Sequence, residues 1–239
     1  MAVTLTRRTL AVALAALPGV ATAAPARSIQ FWATQRGGQT LDSNSDGVPG
    51  NPFATELIAL MAQPNLDLGA LATALRERTR QRSDAFQTPE IVGDYAGAQF
   101  SFTPAARGRR AALVLIFSKY SGGAPSLPGA AYDGDRIHRA LKAANFDATL
   151  IVDPSRAEWP GVFSAFAAKS AKADVAALYV TGHGVEVGGV QYVIPGDFPM
   201  AAGAKGLNRA IAWTDVAAVA CAKRLNLTLW AGCRDNPFS

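Results

Sequence analysis

Continuous apolar runs recur through the second half of the chain, and each is followed by a stretch with helical spacing. The runs are "AALVLIF" (111–117), "FDATLIV" (146–152), "DVAALYVTG" (174–182) and "NLTLWAG" (226–232). Runs that are apolar throughout, rather than alternating, predict strands buried on both faces, as in a parallel sheet. Between them, "YDGDRIHRALKAAN" (132–145), "EWPGVFSAFAAKSA" (158–171) and "AWTDVAAVACAKR" (212–224) carry the 3.6-residue period of amphipathic helices. "VEVGGVQYVI" (185–194) predicts a hairpin turning at Gly188-Gly189. The first half is sparser. "SIQFWATQ" (28–35) predicts a short buried strand, and a polar, Gly-rich loop follows. Asn51 is placed to cap a helix "PFATELIALMAQ" with Pro52 in its first turn. A second helix runs through "LDLGALATALRERTRQR", with Leu68, Leu71, Ala72 and Leu75 on one face and Arg76, Arg78, Arg80 and Arg82 on a solvated side. "AGAQFSF" (96–102) predicts an edge strand and "TPAARGRR" (103–110) a linker. Strands alternating with helices predict an α/β fold, a mostly parallel sheet covered by helices, with function gathered at the carboxyl ends of the strands.

Composition changes this picture little. The chain has 239 residues, 49% of them hydrophobic, and a net charge of +5. The basic residues are scattered and no basic stripe is interleaved with aromatics, so nucleic acid is not an expected partner. The first residues do add something. Arg7 and Arg8 precede an apolar run from Leu10 to Leu17, and small residues stand at Ala21 and Ala23. That pattern predicts a signal peptide over 1–23, and the arginine pair also resembles a twin-arginine signal. The run is too short for a permanent membrane span, so the expectation is an exported protein, free of the membrane once the segment is removed. No feature indicates an oligomeric state.

Two cysteines, Cys221 and Cys233, make no disulfide framework. Cys221 falls in a helical pattern and reads as a small core residue. Cys233 is different: it stands just past the last apolar run, and His183 stands just past the run at 174–182, between Gly182 and Gly184. Neighbouring parallel strands would bring these two side chains out at one sheet edge. A histidine beside a cysteine can take its proton, and the thiolate is the attacking form. The backbone N–H groups of Gly184 and Cys233 could point at a developing oxyanion. The plainer alternatives are a core cysteine and a structural histidine. His138, inside a predicted helix with no evident partner, is an example of the latter.

The stretches "ALYVTGHGVEVGGVQYVIPGDF" and "LTLWAGCRDNPF" resemble those of bacterial caspase-like peptidases of the metacaspase and orthocaspase kind. Their histidine stretch corresponds to Tyr179–Gly184 and their cysteine stretch to Ala231–Phe238. "RRAALVLIFSKY" and the segments after it look like the opening strand, Asp-bearing helix and second strand of that family, so the resemblance covers about 109–238. The segment that follows the cysteine in the family is found here at the front: "FWATQRGG", "GNPFAT", "LDLGALATALRERT" and "FQTPEIVGDYAGAQF" occur in family order within residues 31–100. The resemblance therefore implies a circularly permuted caspase-like αβα sandwich of about six strands. Its small-subunit-like part would be 28–105 and its catalytic part 106–239, folded together as one domain.

The resemblance also implies a cysteine endopeptidase acting on protein or peptide substrates. Cys233 would be the nucleophile, His183 its base, and Ala33, Thr34 and Gln35 would line the groove for an extended substrate. In the family, two acids line a pocket for a basic side chain. Asp133 matches one of them, and it could equally be a helix cap. Ala231 replaces the other, which weakens the expectation of a basic preference and motivates the alternative of a catalytically silent binding module. No cofactor is expected, for no phosphate loop of Walker type or zinc-like Cys/His cluster is present. "DSNSDG" (42–47) opens like a calcium loop, but Phe53 stands where an EF-hand needs a glutamate, so a polar turn is the simpler reading.

Overall fold

The computed structural model describes residues 26–44, 47–95, 98, 100–103 and 108–238. The expected signal segment lies outside the described residues. A six-stranded sheet forms the centre. In chain order its strands are β1 (Arg27–Trp32), β2 (Glu90–Val92), β3 (Arg110–Ile116), β4 (Asp147–Val152), β5 (Val175–Thr181) and β9 (Leu225–Ala231). Their spatial order is β2-β1-β9-β5-β3-β4, and every pairing is parallel except β1 with β2. Three short strands, β6 (Gly184–Val187), β7 (Val190–Val193) and β8 (Ile211–Ala212), make a separate antiparallel sheet.

The apolar runs of β3, β5 and β9 are buried on both faces as expected, whereas β4, from the run at 146–152, is an edge strand with no fully buried residue. In β3, Ala112, Val114 and Ile116 join one buried cluster while Ala111, Leu113 and Leu115 join another. Side chains alternate across a strand, so both faces must be covered. Helices α1 (Pro52–Met61), α2 (Leu68–Arg82) and α3 (Pro128–Ala143) supply Phe53, Leu57, Leu71, Leu75, Ile137 and Leu141 to the first face. Helix α4 (Trp159–Ser170) and the short α5 (Trp213–Ala217) supply Trp159, Phe166, Trp213 and Val216 to the second. The result is a mixed α/β sandwich of three layers, consistent with a caspase-like fold. The predicted cap forms, the Asn51 side chain accepting from the N–H of Phe53, and Asp67 caps α2 in the same way by accepting from the N–H of Ala70. The pairing of β1 with β9 joins the two halves of the chain, with Ile29 opposite Leu227 and Trp32 opposite Trp230.

Five expectations are corrected. The edge strand is Glu90–Val92, not 96–102; of the latter, the described residues lie outside any strand, and Phe100 packs edge-on to Phe102 instead. Arg110 is not linker: it opens β3 fully buried, its guanidinium against the Phe100 and Phe146 rings and bonded to the Phe102 and Ala144 carbonyls. The helix expected over 212–224 stops at Ala217. The N–H groups beyond it are claimed by tertiary partners: Cys221 by Ser170 Oγ, Ala222 by Asn226 Oδ1, Lys223 by the Ala173 carbonyl and Arg224 by that of Asp174. Cys221 is consequently an exposed thiol and not a core residue, with Sγ 3.1 Å from Ser170 Oγ. His138 does have a partner, its Nε2 donating to the Ala148 carbonyl at 3.2 Å.

Candidate active site

Strands β5 and β9 are neighbours, and their register sets Thr181 opposite Ala231. His183 and Cys233 each lie two residues beyond that pair, so both leave the same edge of the sheet. Both line one small cavity of about 60 Å³, together with Thr40, Leu41, Asp42, Asn51 and Asp133 among others. Glycines let the backbone close up here. Gly182 has φ +148°, and a Cβ on it would come within 2.8 Å of the Tyr120 hydroxyl. A Cβ on Gly184 would fall 2.3 Å from the Trp230 ring and 2.7 Å from the Cys233 carbonyl oxygen, so no other residue fits that position.

The histidine is fixed on three sides. Its backbone N–H donates to the Tyr120 hydroxyl at 2.8 Å, and that hydroxyl donates to the Phe117 carbonyl at 3.0 Å. The Tyr120 ring meets the imidazole edge-on with centroids 4.6 Å apart. Nε2 lies 2.8 Å from the Pro125 carbonyl oxygen. A carbonyl only accepts, so Nε2 carries a proton and Nδ1 is the nitrogen left to act as a base in the neutral ring. The cysteine is half-buried. The Thr40 N–H donates to its Sγ at 3.4 Å, and Thr40 Oγ1 lies 3.6 Å away. Burial pushes the Cys233 thiol up, the Thr40 contacts pull it back, and Asp235 adds to the rise.

Around this pair runs a buried polar network. Asp133 is fully buried and sits in the body of α3, so it does not cap its own helix. It accepts from the Asn51 N–H at 2.6 Å and from Arg136 Nη1 at 3.1 Å. Burial outweighs these contacts and pushes its carboxyl up to about 7. Asp42 is only partly buried, and its two oxygens accept from the N–H groups of Gly129 and Ala130 in the first turn of α3. Asn44 donates its amide to the Val48 and Gly50 carbonyls. Asp42 and the Asn44 amide nitrogen are thus bonded within the protein, Asn44 Oδ1 is buried without a hydrogen-bond partner, and Asp46 of the calcium-like stretch lies outside the described residues.

Residues 109–226 match a family model described as a caspase domain. The match supports a caspase-like cysteine peptidase. It spans β3 through the start of β9, so it includes His183 and ends before Cys233. No curated protein matches the chain. The caspase-like segment does not hold the whole sheet: β1 and β2 lie ahead of it and complete the layer beside β9.

Ala33, Thr34 and Gln35, the residues expected to line the groove, do not border this cavity. The carbonyls of Ala33 and Thr34 are occupied from within, by Gln87 Nε2 at 3.2 Å and Arg234 Nη1 at 3.3 Å, and both residues are buried. Gln35 is exposed. The part of this loop that reaches the cavity is Thr40–Asp42. Two organising residues escaped the sequence reading. Gln87, fully buried, accepts from the Leu41 N–H at 2.9 Å and donates to Asn51 Oδ1 at 3.2 Å, which holds the loop in place. Arg234, next to the cysteine, is 3% exposed and bonds Glu90 at 2.6 Å, with its guanidinium 4.1 Å over the Trp32 ring. Both stood in the quoted family-like stretches, "FQTP" and "CRDNPF", which was the only signal for them.

Proposed function

We propose that the protein is a cysteine endopeptidase of the metacaspase-like kind, circularly permuted, with Cys233 and His183 as its dyad. The observation that carries this is the register of Thr181 with Ala231, which brings both side chains to one cavity. The thiol is pushed up by burial, so the proton leaves as the bond forms rather than beforehand. Sγ attacks the scissile carbonyl carbon and its proton passes to His183 Nδ1, while Nε2–H stays on the Pro125 carbonyl. The N–H groups of Gly184 and Cys233 receive the oxyanion. Collapse breaks the C–N bond, the imidazolium protonates the leaving amine, and water then hydrolyses the thioester. A protein or peptide is the substrate, and the acidic residues in the cavity favour a basic side chain before the scissile bond. Export, on the strength of Arg7, Arg8 and the apolar run that follows, belongs to the same proposal.

Cys233→Ala and His183→Ala should each abolish cleavage of a peptide library while leaving the circular dichroism unchanged, and Cys221→Ser should leave cleavage intact. Equal activity in the wild type and in Cys233→Ala overturns the assignment. A second reading, a catalytically silent binding module, is favoured by the raised thiol and by the absence of an acid at Ala231. It predicts no turnover of any library member and no labelling of Cys233 by electrophilic peptides.

A further inference from the structure

The loop between β3 and α3, residues 117–127, carries both groups that bond His183: the Tyr120 hydroxyl on its N–H and the Pro125 carbonyl on its Nε2. The base of that loop is gripped from another strand. Asp153, the residue just after β4, accepts on Oδ1 from the N–H groups of Ser118 at 2.6 Å and Lys119 at 3.0 Å. Its Oδ2 accepts from Ser118 Oγ at 2.9 Å. Ser118 is buried, and its carbonyl accepts from the Leu127 N–H at 2.8 Å, which ties the far end of the loop to the same point. Tyr120 and Pro125 therefore hang from a base that Asp153 holds. The middle of the loop is pinned separately, through Ser121 to Gly196 and Gly122 to Met200.

The turn that ends β4 does not itself call for an aspartate. Asp153 has φ +50°, a left-handed conformation that glycine adopts freely and asparagine tolerates as well as aspartate does. Its N–H donates to the Ile116 carbonyl at 2.8 Å whatever the side chain is. What aspartate adds is a pair of oxygens that only accept, each able to accept more than once. We propose that Asp153 is a positioning residue for the dyad, holding the loop that sets the orientation and tautomer of His183. The inference rests on the peptidase reading above and deepens it. Asp153 lies outside the cavity shared by Cys233 and His183 and acts through the histidine alone. With the Pro125 carbonyl in place, the neutral ring carries its proton on Nε2 and keeps Nδ1 free as the base. When the loop shifts, that bond is lost and the proton is free to settle on Nδ1, where the ring no longer accepts from Cys233 through that nitrogen.

The left-handed φ supplies the variants for the test. Asp153→Gly deletes the carboxylate and eases the backbone, so the turn survives. Asp153→Asn keeps an oxygen for the two N–H groups and an amide that can donate to Ser118 Oγ. A thermal melt confirms the fold of each. Asp153→Gly should lower kcat for peptide cleavage roughly tenfold to a hundredfold with KM within about threefold, as misplacing a catalytic group does, and Asp153→Asn should recover most of the loss. The second readout is the ring-nitrogen NMR spectrum in alkaline solution, where imidazole is neutral. The chain has two histidines, so the His183 signals are those missing from His183→Ala. The wild type and Asp153→Asn should show the Nε2–H tautomer, and Asp153→Gly a mixture. An unchanged tautomer in Asp153→Gly overturns the proposal whatever the rate. So does an unchanged kcat in an active enzyme, and so does an Asp153→Asn as impaired as Asp153→Gly, which assigns the effect to charge and not to the grip on the loop. A wild type that cleaves no peptide ends the peptidase reading alone. The tautomer series then decides for Asp153: a mixture in Asp153→Gly upholds its hold on His183, and the wild-type pattern refutes it.

Discussion

Replacing Arg234 by methionine should destabilise the protein far more than a surface arginine would, because three parts of the chain meet on this guanidinium. Nη1 donates to Glu90 of β2 and to the Thr34 carbonyl after β1, and Nη2 lies 3.5 Å from Glu186 of β6. The whole group lies over Trp32. Methionine keeps the apolar stem and removes the charge. Breaking a buried pair costs about 3–5 kcal/mol, because the partner is left behind without compensation. Two features reduce the figure here. The Glu90 side chain is 40% exposed and can turn to water, and Glu186 keeps Arg36 at 3.5 Å. About 2–4 kcal/mol remains. With a urea slope of roughly 2–3 kcal/mol per molar, the unfolding midpoint should fall by about 1 M. Urea is the right denaturant, since guanidinium salt would screen the pair being measured. A cycle with Glu90→Gln should return a coupling of about 1–2 kcal/mol. A midpoint shift below about 0.3 M, or no coupling, would show that Trp32 and the backbone hold this corner without the charge.

Asp133 makes stability depend on pH. Its carboxyl titrates near 7 in the folded protein and near 3.8 when unfolded, so between those values the folded chain keeps a proton that the unfolded chain has lost. Its contribution to stability is therefore present in acid, declines through that window and is gone above it. Urea midpoints for the wild type minus those for Asp133→Asn should fall with rising pH; a flat difference contradicts the assignment. Thr40→Val removes the hydroxyl beside the thiol and leaves the N–H, so the pH midpoint for alkylation of Cys233 should move upward, with Thr40→Ser restoring it. An unchanged profile would mean that the hydroxyl does not act on the sulfur.

The central strands and the helices that cover them were readable because burial on both faces leaves an unbroken apolar run, a local signal that needs no partner to be seen. His183 and Cys233 were readable for the same reason, as polar residues stranded at the ends of such runs. The edge strand was misplaced because three residues with one covered face leave almost no pattern, whereas the apolar residues near Phe100 pack as a loop against Arg110. The helix after Ala212 was overextended because its composition is helical and only tertiary acceptors divert it. The roles of Asp42, Gln87 and Arg234 were not legible, although all three stood in stretches singled out for other reasons. Each acts on atoms dozens to hundreds of positions away, as when Arg234 bonds Thr34 across 200 residues, and no spacing within a window records that.

The side-by-side placement of β1 and β9 has a consequence for how the molecule comes into being. A nascent chain produces β1 early and must carry it unpaired on that side until the last strand of the sheet emerges. Closing so long a loop slows folding, since the entropy is lost before the contacts form. It also orders events in time. Cys233 and the strand that presents it are synthesised after every other wall of the cavity, and the polar ties from Thr34, Gly38 and Thr40 to the Cys233–Arg234 pair can form only then. Under the proposed function, the catalytic centre cannot assemble before that last strand of the sheet has emerged and paired with β1.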